Sequence, residues 1–124
     1  MSKFPSVDEF HEMLNDISDE IPQDFFKELH GGVVLLERSK KHTHSKPGQP
    51  LYVMGQYRRD QMGRQIFIYY GSFRQVYRGL SRAKLYEKVK DVLFHEFTHH
   101  LESLAGERGL EKDDEERMRK YLNR

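Results

Sequence analysis

The chemistry this sequence offers is concentrated in the stretch Val92-Leu93-Phe94-His95-Glu96-Phe97-Thr98-His99-His100-Leu101-Glu102, which contains the spacing His-Glu-x-x-His. On a helix His95 and His99 are four residues apart, so their imidazoles stack on one face, one turn above the other. Two neutral imidazoles so placed can both reach one Zn²⁺ at about 2.0–2.1 Å. Glu96 sits about 100° around the same helix. From there its carboxylate can approach a water held by the metal without ligating the metal, as a general base should. The competing reading of the pattern is a solvated His/Glu helix face.

A helix presenting these groups needs a dry back. With His95 at zero and 100° per residue, His99 falls near about 40° and Glu102 near about 340°, one polar stripe. Leu93, Phe97, Leu101 and Leu104 fall at roughly 160–240°, on the opposite side. Such a helix can be anchored in a core while holding a metal towards a cleft. His100, at about 140°, faces neither the metal nor the deep core on this wheel and is given no chemistry.

The whole chain sets the limits. Its 124 residues suffice for one compact domain, 1–124, with a modest core. Charged residues make up 33% and aromatics 12%, a polar composition but not that of a disordered chain. With no cysteine there is no disulfide framework and no thiolate ligand, so any metal is held by histidine and carboxylate. The start Met1-Ser2-Lys3-Phe4-Pro5 lacks the apolar stretch of a signal peptide, and no run reaches membrane-spanning length. A soluble, cytoplasmic protein with no membrane partner is expected. Net charge is +1 but unevenly spread: residues 37–90 hold three acids against thirteen Lys/Arg. That basic middle could attract an anion, yet no RNA- or DNA-binding motif accompanies it. Nucleic acid is therefore not the expected partner.

The elements that must position the motif are legible in order. Ser6-Val7-Asp8-Glu9 is a capping box, and apolar residues follow at Val7, Phe10, Leu14, Ile17 and Ile21, giving a helix that ends before Pro22. Phe25, Phe26 and Leu29 suggest a second short helix closed by Gly31-Gly32. Val33-Val34-Leu35-Leu36 reads as a buried strand. Residues 40–50 form a polar loop turning at Pro47-Gly48, and its His42 and His44 read as solvated. Residues 51–57 and 65–70 are strands joined by a hairpin connection at 58–64. A short helix covers about 72–78, and Ser81 caps the long helix that carries the motif. Gly106 and Gly109 break the chain before a last helix at 110–122, laced with acid-before-base pairs such as Asp113 with Arg117.

These residues together resemble the small bacterial zincin-like metallopeptidase family. The resemblance covers most of the chain: an N-terminal helix, a strand at 33–36, strands at 51–57 and 65–70, then His95-Glu96-Phe97-Thr98-His99-His100 on a helix. It implies an α+β fold with a sheet of three or more strands packed on the motif helix. It also implies that His95 and His99 ligate zinc, that Glu96 is the catalytic base, and that 65–70 is the edge on which a peptide lies in extended form. The family pattern continues His-x-x-Gly-x-x-Asp, where the aspartate returns to the metal. Here Glu102 and Ala105 occupy those two positions, so the third ligand must come from elsewhere. Asp113, beyond the two glycines, could fold back onto the metal and is favoured. Glu102 is the runner-up: its Cα is about 10 Å along the axis from that of His95, but side chains lean towards the helix N-terminus. Glu107, Asp114 or no protein ligand remain.

The expectation is a zinc-dependent metallopeptidase acting on a peptide or protein substrate. The alternative is a non-catalytic zinc-containing module, an adaptor for peptide or nucleic acid using the basic middle.

Overall fold

The computed structural model of the chain describes residues 3–108, with side chains to 106. The expected last helix, Asp113 and Asp114 lie outside the described residues, as does the side chain of Glu107.

Helix α1 spans Val7–Asp19, and its start is the capping box expected from sequence. The Ser6 hydroxyl accepts from the Glu9 N–H at 3.2 Å, and the Ser6 N–H donates to the Glu9 carboxylate at 2.9 Å. Phe10, Leu14 and Ile17, three and four apart, form its buried stripe. After Pro22 comes a single 3₁₀ turn, Gln23–Phe26. It ends well before Gly31-Gly32, contrary to the expected glycine-closed helix. The chain leaves it through Glu28, which adopts a left-handed φ of 62°. The carbonyl of Lys27, just ahead of that kink, is taken by His100 instead of by helical bonding.

Strand β1 is Gly32–Leu36, β2 is Gly55–Asp60 and β3 is Gly63–Tyr69, in the sheet order β1-β3-β2. β1 runs parallel to β3 and β2 antiparallel to it. Two expectations are corrected here. The strand 65–70 is not an edge: β3 is hydrogen-bonded on both sides and lies at the centre of the sheet. Its alternate residues Ile66 and Ile68 are fully buried under the helices, the environment of a middle strand. Nor is β1 fully buried, because it is an edge strand. Val33 and Leu35 pack on the core, but every residue of β1 keeps partial exposure.

The hairpin is tighter than expected, with only Gln61-Met62 between the paired residues Asp60 and Gly63. The Asp60 carboxylate accepts from the Met62 N–H at 2.8 Å, and Gly63 supplies a φ of 115°. Residues 51–54 do not join β2. Tyr52 instead bridges to Lys41, closing the 37–54 connection on itself with a turn at Gly48.

Helix α2, Tyr70–Tyr77, follows β3 without a break, and Gly71 lets it sit against the exit from β1. A Cβ there would lie 2.5 Å from the Ser39 nitrogen. Helix α3, Arg82–Arg108, is the long one. The Ser81 hydroxyl caps it by accepting from the Lys84 N–H at 3.2 Å. It runs through Gly106 where a break was expected. Leu104 and Ala105 stay buried beyond the motif and keep the helix docked, and one exposed glycine costs a helix only about 1 kcal/mol.

The core lies where α1 and α3 meet the inner face of the sheet. Leu85, Val89, Leu93 and Phe97 of α3 meet Phe10, Leu14 and Ile17 of α1 and Ile66 and Ile68 of β3. Phe26 packs edge-on to Phe97 with ring centroids 4.9 Å apart. The fold is α+β, as the resemblance implied.

Candidate metal centre

The dry back of α3 dictates where its polar front points. With Leu93 and Phe97 fully buried, His95 and His99 face outward into an open cleft between α3 and β2. Their Nε2 atoms lie 3.0 Å apart, and the rings meet edge-to-face. At that separation both nitrogens can stand about 2.0–2.1 Å from a single cation. The expected pair is therefore brought together, two donors of the kind zinc takes, short of the three protein ligands of a catalytic site.

Glu96 is 6% exposed and belongs to the inner wall of the cleft. Burial pushes its carboxyl up from the ordinary value, opposed by the positive field of His95 and by a hydrogen bond from the backbone N–H of Tyr57. That N–H is available because of the sheet register. The Met54 carbonyl accepts from the Tyr69 N–H, so the even-numbered residues of β2 bond inward to β3. Gly55 and Tyr57 turn their backbone groups outward, towards α3. The cleft thus sets a helix carrying imidazoles beside the outer edge of an edge strand.

The close approach of helix to strand rests on Gly55. A Cβ at Gly55 would fall 2.8 Å from Val92 Cγ1 and 3.2 Å from the Glu96 carboxylate. A glycine inside a strand pattern signals this kind of backbone approach, so the signal was present in the sequence. Arg59 and Ser103 also line the cleft and carried no such signal.

His100 is fully buried, which corrects its expected position away from the core. Its Nε2 donates to the Lys27 carbonyl at 2.8 Å and its Nδ1 accepts from the Tyr57 hydroxyl at 2.9 Å. Burial pushes the imidazole down and the Tyr57 phenol up from their usual values, which favours the neutral form of both. At about 140° on the helical wheel His100 borders the apolar arc, so burial was within reach of the pattern. Its two polar partners lie far off in sequence and were not.

Glu102 lines the same cleft and is exposed. Among the described residues no set of three His, Cys, Asp or Glu side chains is placed to hold one metal. His42 and His44 are exposed and face each other, rings 5.2 Å apart, with His42 Nδ1 accepting from the His44 N–H. Among the described residues no helix is long and apolar enough to cross a membrane.

The chain has known relatives. The model of the zincin-like metallopeptidase family matches residues 40–121, and the chain belongs to that family, whose members in general bind zinc. Among solved structures, the chain is similar to a conserved hypothetical protein from Thermo thermophilus. The two share 29% identity with a TM-score of 0.71, over 82% of this chain and 99% of that one. No curated protein matches.

Proposed function

We propose that this chain is a zinc-dependent peptidase whose substrate lies extended along the outer edge of β2. The observation that carries the proposal is the convergence of His95 and His99 Nε2 to 3.0 Å beside a buried Glu96. His95 and His99 would hold the zinc. When bound, zinc supplies a Lewis acid that makes water acidic near neutral pH and polarises a carbonyl.

The chain's own groups do the rest. Glu96 is the general base: burial raises its proton affinity, and the Tyr57 N–H keeps one carboxylate direction fixed. The proton it accepts is then available for the leaving amine. The outward backbone groups of β2 other than the Tyr57 N–H, which Glu96 holds, offer hydrogen bonds to an extended peptide, the β-addition mode, and the peptide so held passes over the imidazoles. A peptide or protein is therefore the proposed substrate class.

The third ligand is proposed to be Asp113, with Glu102 the alternative already in the cleft. Elemental analysis of wild type, His99→Ala, Asp113→Ala and Glu102→Ala tests the assignment. Loss of zinc is expected in His99→Ala and in Asp113→Ala. Retention in both carboxylate variants would remove both candidates, and retention in His99→Ala would remove the site. Turnover of labelled casein by the zinc-loaded wild type, absent in Glu96→Gln, tests the activity itself. A zinc-loaded wild type with no turnover would leave a zinc module that is not a peptidase.

A further inference from the structure

The second histidine of the pair His99-His100 has no part in the scheme above, yet it is the more deeply buried of the two. A buried imidazole is normally held by what surrounds it, and here both nitrogens are engaged. The Lys27 carbonyl can only accept, so Nε2 carries the hydrogen and Nδ1 presents a lone pair. Nδ1 then accepts from the Tyr57 hydroxyl, with the two rings tilted and their centroids 5.5 Å apart. The tautomer is fixed by geometry.

Tyr57 is consequently gripped at two points by one helix. Its side-chain hydroxyl is held by His100, and its backbone N–H is held by Glu96, one helical turn earlier. The rigid ring between those points converts the position of the hydroxyl into the position of the backbone amide. The chain of contacts runs from Lys27, at the kink after the 3₁₀ turn, through His100 and Tyr57 to the Glu96 carboxylate.

We propose that His100 is a positioning residue for the cleft: by holding Tyr57 it fixes the register of the β2 edge on α3 and thereby orients the Glu96 carboxylate. The proposal deepens the peptidase reading and rests on it for its functional meaning, but the clamp itself is a property of the metal-free chain.

The test separates the two nitrogens. In His100→Asn the side-chain amide stands near the Nδ1 position and can keep the Tyr57 bond. In His100→Gln it stands near Nε2 and can keep only the Lys27 bond. Tyr57→Phe removes the hydroxyl while preserving the ring. The first readout is hydrogen exchange of the Tyr57 amide in the metal-free full chain, referenced to the Gln56 and Arg58 amides that bond inward to β3. Tyr57→Phe and His100→Gln should each lose about tenfold of Tyr57 protection relative to those references, while His100→Asn stays close to wild type. The second readout is turnover of labelled casein by the zinc-loaded forms at equal zinc content, which should follow the same order.

Protection lost equally at all three amides, or unchanged at Tyr57 in both Tyr57→Phe and His100→Gln, would overturn the clamp. His100→Gln outperforming His100→Asn in both readouts would overturn the assignment of Nδ1 as the working nitrogen. If the wild type turns over no casein, the peptidase reading fails, and the exchange data still decide the clamp.

Discussion

At Gly55 the absence of a side chain is what lets Glu96 approach Tyr57. Gly55→Ala places a methyl against Val92 Cγ1 and the Glu96 carboxylate, at 2.8 and 3.2 Å. Helix and strand must part, at a cost of about 1–3 kcal/mol in stability. Activity should fall further than that destabilisation explains, because the displaced group is the proposed base. The pairing Gly55→Ala with Val92→Ala removes the worst contact and should restore the urea midpoint more fully than the casein turnover. Full recovery of both would show that Gly55 matters only for packing. At this scale the sequence was readable where chemistry is local: His95, Glu96 and His99 are brought together by helical spacing alone. Gly55, Tyr57 and His100 matter through partners some forty residues away or more, and no periodicity records that.

Among the elements, α1 and α3 were legible because a helix writes its period, its cap and its buried stripe into consecutive residues. Removing the cap hydroxyl in Ser6→Ala should lower stability by about 1 kcal/mol without touching the cleft. Phe97→Ala should cost about 3–5 kcal/mol, since Phe97 is fully buried in the central cluster and packs against Phe26. Urea denaturation of the metal-free chain measures both, and a Phe97→Ala loss below that of Ser6→Ala would contradict the placement of the core. Strand order was less legible. The pattern of β3 identifies a strand and its buried face, but nothing within it says that β1 and β2 occupy both flanks. In the proposed function the peptide-bearing role therefore passes from β3 to β2.

For the molecule as a whole, α1 is tied to α3 at both ends. Glu9 pairs with Arg82 at 3.2 Å, and Glu20 accepts from the Tyr86 hydroxyl and pairs with Lys90 at 3.2 Å. The Tyr86 hydrogen bond, more than Lys90, holds the Glu20 carboxyl below its ordinary value, and the same bond pushes Tyr86 up to about 12. The signs then differ. The Glu20 contribution is present above its unfolded pKa, about 4.3, and disappears as pH falls through the lower folded value. The Tyr86 contribution is present below its unfolded pKa, about 10, and is lost as pH rises through about 12. Tyr86→Phe should therefore flatten the pH dependence of the urea midpoint on both the acid and the alkaline side. A Tyr86→Phe curve parallel to wild type would show that this tie contributes nothing.

The parallel pairing of β1 with β3 also has a consequence for synthesis. Gly32 must find Gln65 and Leu36 must find Tyr69, whereas β2 meets β3 across two residues. On a ribosome adding about 5–20 residues per second, the aliphatic stretch Val33–Leu36 emerges roughly two to seven seconds before its partner exists. During that interval its sticky backbone has α1 but no partner strand for shelter, so the nascent chain is most exposed to wrong pairing before the helix that carries the motif has been translated.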